Sequence, residues 1–155
     1  MSLAIAPAAL DGPVARALIA DLNADLLARY PEEGATHFRL DPDEVAPGRG
    51  AFLVAHLDNA AVGCGAVRRL DAADAEVKRM YVVPTVRRQR VGLAILQALE
   101  AEARRLGVAR LVLETGERQP EAIALYRRAG FAPIPRFGEY RDSPLSYCMA
   151  KSLDP

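Results

Sequence analysis

A chain of 155 residues with 20 Lys and Arg against 20 Asp and Glu has no net field, which excludes binders drawn to nucleic acid or anionic membranes by overall charge. With 51% hydrophobic residues it is read as one domain, 1–155, able to bury roughly 70% of the surface its unfolded chain exposes, without a metal or disulfide. Cys64 and Cys148 lie far apart in apolar runs and are expected to be buried free thiols. No apolar run is long enough for a bilayer, and MSLAIAPAAL lacks a basic leader, so a cytoplasmic protein is expected.

In chain order, residues 2–7 predict a short strand closed by Pro7. An amphipathic helix follows from Pro13 to about Tyr30, with Val14, Leu18, Ile19, Leu22 and Leu26 in a stripe at helical spacing. Asp11 is its expected N-cap, and Pro31 stops it. Residues 31–50, rich in Pro and Gly, predict a loop with one helical turn near 43–46; His37, Phe38 and Arg39 are its recognition candidates, or plain surface residues. Strands at about 51–57 and 61–69 form a hairpin about Asp58 and Asn59. Gly63 and Gly65 strip side chains from one face of the second, as a close backbone approach or a bulge requires.

A third antiparallel strand covers about 75–83. Its apolar parity switches between Val77 and Met80, which predicts a bulge near Lys78 or Arg79. Pro84 ends it, and a turn dense in arginine, Arg87, Arg88 and Arg90, leads into a helix from Val91 to about Leu106. The first N–H groups of a helix lack intrahelical partners and stand at its positive end, so this turn can hold a diphosphate; a solvated basic turn is the alternative. RLVLET, 110–115, returns as a strand parallel to 75–83, which puts the turn where open α/β sheets place ligands. A helix from Pro120 to Ala129, an irregular proline-rich segment and a strand at 146–151 finish the order βαβββαβαβ, an α/β fold with a mixed central sheet and helices on both faces.

Two signatures carry a resemblance that covers nearly the whole chain. Arg87-Arg88-Gln89-Arg90-Val91-Gly92 is similar to the acetyl-CoA loop, Q/R-x-x-G-x-G/A, of the GNAT N-acetyltransferase superfamily, and QPEAIALYRRAGF, 119–131, resembles its N-x-x-A-x-x-L-Y-x-x-x-G-F helix. The tail also resembles a bacterial subgroup with unsettled acceptors. The resemblance implies acetyl-CoA as acetyl donor, held by main chain of Met80, Tyr81 and Val82, by the loop Arg87, Arg88, Gln89, Arg90, Val91, Gly92, Leu93 and Ala94, and by Gln119 in place of the usual Asn. It implies Tyr126 as the acid that protonates the leaving thiolate, against simple core packing.

An alkylamine with a pKa near 10 must lose a proton before it attacks. Glu76 is the candidate base, with an ion pair to Lys78 or Arg68 as the plainer role. Arg39, Arg136, Phe137, Glu139 and Tyr140 would line the acceptor end, for a small amine that is amino-acid-like in the leading reading. A protein N-terminus or lysine, or a non-catalytic acyl-CoA-binding module, are the alternatives; a homodimer is compatible with either. Arg90 stands where the first motif glycine belongs. The loop is expected to survive with Arg90 turned outward if φ there is negative, and to bind cofactor less well if φ is positive.

Overall fold

A computed structural model describes residues 2–31, 39–87 and 89–153. Seven strands, β1 (Leu3–Pro7), β2 (Gly50–Leu57), β3 (Ala60–Arg69), β4 (Asp74–Val82), β5 (Arg110–Gly116), β6 (Ala132–Ile134) and β7 (Ser146–Ser152), form one sheet in the order β1-β2-β3-β4-β5-β7-β6. The helices are α1 (Pro13–Arg29), α2 (Val91–Arg105) and α3 (Pro120–Arg128), with 3-10 turns at Pro42–Val45, Pro84–Val86 and Gly138–Tyr140. β4 and β5 run parallel across the α2 connection, and the other neighbours are antiparallel.

β6 lies in the segment expected to be irregular. It is an edge strand paired only with β7 among the described residues, and an edge is where a strand can carry Pro133. Asp11 does not cap α1: Gly12 occupies that position, extended, with Pro13 following, a residue whose missing N–H costs nothing in a helix's first turn.

The two sheet faces carry separate cores. On one, Ile95, Leu96 and Leu99 of α2 and Tyr126 of α3 pack over Val67, Val77, Leu111 and Leu113; on the other, Ala15, Leu18 and Leu22 of α1 cover Phe52, Val54, Cys64 and Ala66. α2 lies directly on the glycines of β3. A Cβ at Gly63 would stand 2.8 Å from the Tyr81 carbonyl oxygen, and one at Gly65 would stand 2.9 Å from both Ile95 and Leu99.

Opposite Gly65, β4 bulges. Cys64 pairs with Tyr81 and Ala66 with Lys78, so Arg79 and Met80 together face one residue, and Arg79 takes φ 58°. The pairing of β4 with β5 stops at Val77 and Leu113, whereas β5 stays with β7 through Gly116 and Ser146. Past Val77 the two central strands diverge, and this opening is where the site forms.

Arg90 is exposed and caps α2 in the left-handed region, at φ 63° and ψ 20°. Arg90 is thus turned outward with positive φ, the case for which weaker cofactor binding is expected. A side chain in this region costs about 1–2 kcal/mol, and glycine gives back part of that through unfolded-chain entropy. Arg90→Gly is expected to raise stability by about 0.5–1 kcal/mol in a urea melt without acetyl-CoA; a loss would show that Arg90 makes a compensating contact.

Candidate active site

A cavity of about 490 Å³ fills the divergence between β4 and β5. Leu22 and Leu26 of α1, with Tyr30 at its C-terminal cap, line it from one side, and the bulge Lys78, Arg79 and Met80 from another. Glu114, Thr115 and Gly116 contribute the end of β5, Gln119 and Tyr126 come from α3, and the segment from Glu139 to Ser146 closes it. Tyr126 belongs to the core on the α2 face, whereas Glu114 alternates with Leu113 and so emerges on the α1 face. The opening between the strands lets both reach one space.

Glu114 is the cavity's inner carboxyl. Loss of solvent pushes its pKa up to about 7; a hydrogen bond from Ser146 Oγ opposes that rise, and the charge of Glu76 adds to it. It was not foreseen from the sequence, although a lone carboxylate inside the apolar run RLVLET, on a central strand, is the signal that marks it. Tyr126 is buried and packs edge-on against Phe131, with ring centroids 5.8 Å apart. Burial, then the charge on Glu114, hold its phenol above the ordinary tyrosine range.

Glu76 is placed differently from the expectation that made it the base. It is 0% exposed, does not line the cavity, and has both carboxylate oxygens occupied. Arg68 donates to Oε1 from Nε at 3.0 Å and from a terminal nitrogen at 2.8 Å, and the Tyr140 hydroxyl donates to Oε2. Arg68 also pairs with Glu44, and Lys78 lies 3.8 Å from Glu139 and donates to the Arg39 carbonyl at 2.6 Å. Burial draws the Lys78 ammonium below its ordinary value against the charge of Glu76.

The ion pair with Arg68 weighed for Glu76 is thus present, and it ties the turn before β2 to the turn before β7. Removing one partner of a buried pair leaves the other uncompensated. Glu76→Gln is expected to cost about 3 kcal/mol in a denaturant melt while leaving the pH dependence of turnover in place; normal stability with lost turnover would restore Glu76 as the base.

The proposed cofactor residues fall into two groups. Met80 and Gln119 line the cavity, while Tyr81 packs in the α1-side core beneath Arg87, whose guanidinium lies 5.8 Å from its ring centroid. Arg87 Nε donates to the Val82 carbonyl at 2.9 Å, so that carbonyl is engaged by protein. Val91, Gly92, Leu93 and Ala94 form the first turn of α2, with Gln89 before it; Arg88 lies outside the described residues. A Cβ on Gly92 would come 3.1 Å from Leu125, so this glycine lets α3 close on α2. The edge of β4 that β5 leaves past Val77, the cavity beside it and the first turn of α2 fit an extended chain that ends in a diphosphate.

Of the acceptor candidates, Glu139 and Tyr140 line the cavity. Arg136 does not; its guanidinium donates to the Ser146 and Pro144 carbonyls at 3.2 and 3.1 Å and shapes the loop. Phe137 packs edge-on against Tyr140, centroids 5.3 Å apart. The Arg39 side chain is exposed and 3.9 Å from Asp41. His37 and Phe38 lie outside the described residues.

Tyr30 was not foreseen either. Its hydroxyl accepts the Arg118 N–H at 2.8 Å, and a Cβ on Gly116 would overlap the phenol oxygen, so glycine at that position lets α1 lock onto the end of β5. Both cysteines are buried and free, and burial pushes the Cys64 thiol up to about 12, which rules it out as a nucleophile at neutral pH. Among the described residues no group of His, Cys, Asp and Glu could hold a metal ion, and no helix is long and apolar enough to cross a membrane.

Residues 15–131 match the acetyltransferase (GNAT) family. A protein named IAA acetyltransferase from Azospirillum brasilense is 42% identical over 137 residues, 88% of each chain. A solved structure from Klebsiella pneumoniae subsp. pneumoniae MGH 78578 is 35% identical, with TM-score 0.82 over 98% of each chain. The PaiA N-acetyltransferase of Thermoplasma acidophilum, solved with coenzyme A, shares the fold at TM-score 0.76 and 17% identity over 98% of this chain and 99% of that one.

Proposed function

The chain belongs to the acetyltransferase (GNAT) family of acetyl-CoA-dependent enzymes, and from that premise we propose that it acetylates the primary amine of a small acceptor, with Glu114 as general base and Tyr126 as general acid. One observation carries the assignment: these two groups, from opposite faces of the sheet, line a single cavity at the divergence of β4 and β5.

Acetyl-CoA supplies a thioester carbonyl for the amine to attack and a thiolate that must be protonated. Glu114, ionised above about pH 7, takes the proton from the amine nitrogen. Tyr126 holds its proton tightly until a thiolate forms beside it, then donates it to sulfur. The stretch of β4 past its pairing with β5 orients the extended arm, and the first turn of α2 receives the diphosphate with Arg87 nearby. A carboxylate on an amino-acid-like acceptor would meet Lys78 and Arg79, the cations of the cavity wall, rather than Arg39 and Arg136. Closure of the wall by Tyr30 and Tyr140 favours a small acceptor over a protein surface.

Acetyl-CoA at about 100 times its Kd should add roughly 2.7 kcal/mol to native stability in a thermal-shift experiment. The same protein should release CoA with at least one member of a panel of alkylamines, amino acids, diamines and peptide N-termini. A shift without turnover across that panel would sink the enzymatic reading and leave a binding module; no shift at millimolar acetyl-CoA would sink both.

A further inference from the structure

Glu114 takes one proton per turnover and has to lose it before the next. It lines the cavity that, in the proposed reaction, the acceptor and the acetyl donor share. Two hydroxyls of the cavity wall lead away from Glu114. Ser146 Oγ lies 2.6 Å from Glu114 Oε2 and 2.8 Å from Ser143 Oγ. A hydroxyl carries one proton, so in the ionised state Ser146 donates to the carboxylate and accepts from Ser143.

Ser146 is buried and Ser143 is partly exposed, which orders the chain from inside to outside. Its geometry is fixed by main chain. Ser146 N–H donates to the Ser143 carbonyl at 3.1 Å and Ser143 N–H to the Tyr140 carbonyl at 3.0 Å, while Arg136 clamps the Ser146 and Pro144 carbonyls. That clamp gives Arg136 a use which an acceptor contact would not.

We propose that Ser146 and Ser143 form a hydroxyl relay that carries the proton taken up by Glu114 out to solvent through the turn before β7. The proposal rests on Glu114 being the base. Once Glu114 is protonated the two hydroxyls turn outward. The carboxyl proton then moves to Ser146 Oγ, the Ser146 proton to Ser143 Oγ, and the Ser143 proton to water. Three O–H bonds break and three form, no electron changes owner, and the hydroxyls finish pointing inward, as they stand in the resting structure. Ser146 and Ser143 are positioning residues, since they act through Glu114.

The test compares Ser143→Ala, Ser143→Thr, Ser146→Ala and Glu114→Gln, with acetyl-CoA and whichever panel amine releases CoA fastest. Ser143→Ala lies at the outer end and leaves the Ser146–Glu114 bond in place. It should keep the acid limb of the pH profile where it is, lower kcat about tenfold in dilute buffer, and regain the rate as imidazole is added as an external proton carrier. Ser143→Thr keeps the hydroxyl and should behave as wild type. Ser146→Ala removes a bond that favours the ionised carboxylate, so it should also move the acid limb upward by about one pH unit.

Wild-type kcat in Ser143→Ala at low buffer, with Glu114→Gln inactive, would overturn the relay and leave the base standing. Full turnover by Glu114→Gln would overturn the base and the relay with it. A loss in Ser143→Ala that no buffer restores would make the role structural and also overturn the relay.

Discussion

Replacing Glu114 with Gln is expected to lower kcat by about 10²–10⁴-fold, the range a positioned base contributes, and to abolish the acid limb of the pH profile near pH 7. The stability effect should run the other way. The carboxyl titrates at about 7 in the folded protein against an ordinary 4.5, so between those values the native state holds a proton that the unfolded chain has released. Its stabilising effect is complete below about pH 4.5 and is lost as pH rises through 7.

At pH 8 the wild type therefore carries the cost of an ionised group in a shielded place, up to about 3 kcal/mol, and glutamine does not. Glu114→Gln should melt higher than wild type at pH 8 and nearly level with it at pH 5. An inactive variant that is more stable than its parent separates a catalytic loss from a folding defect. If the variant kept its rate, or melted lower at pH 8, the assignment would fail.

The architecture was legible because its signals are local. The glycines of β3, the parity switch in β4 and the apolar stripe of α1 each dictate geometry within a few residues. The resemblance then joined the arginine turn to Tyr126 across a β-α-β unit. The carboxylate was harder, since Glu76 and Glu114 are both acids on central strands near the divergence. What separates them is partnership: Arg68, across the β3–β4 hairpin, and Tyr140, from the turn before β7, saturate Glu76, whereas Glu114 faces the cavity and accepts from Ser146.

No spacing rule reveals which acid will accept a hydrogen bond from a tyrosine 64 positions away in the chain. Arg136 failed as an acceptor ligand for a related reason, because the carbonyls it serves are exposed to it only once the turn has folded. Arg90 is the opposite case. Its backbone angle is demanded by the loop rather than by the residue, so the sign of φ is not written in the residue type.

Tyr126→Phe is expected to lower kcat about 10²-fold with the KM for acetyl-CoA little changed, since phenylalanine keeps the ring packed on Phe131. Burial raises the phenol's pKa, and the charge on Glu114 raises it further. The second cause vanishes once Glu114 has taken the amine's proton. The base, by doing its part, makes the acid stronger just as the sulfur needs a proton, so the two act as one unit.

Their losses should then fail to multiply. The double variant Glu114→Gln/Tyr126→Phe should be slower than Glu114→Gln alone by far less than the 10²-fold Tyr126→Phe costs the wild type. An acetyl thioester of a more acidic thiol needs less help to depart and should narrow the gap between Tyr126→Phe and wild type, without rescuing Glu114→Gln. Wild-type turnover of Tyr126→Phe with acetyl-CoA would return Tyr126 to the core as packing alone, and fully multiplicative losses would show an acid and a base that do not sense each other.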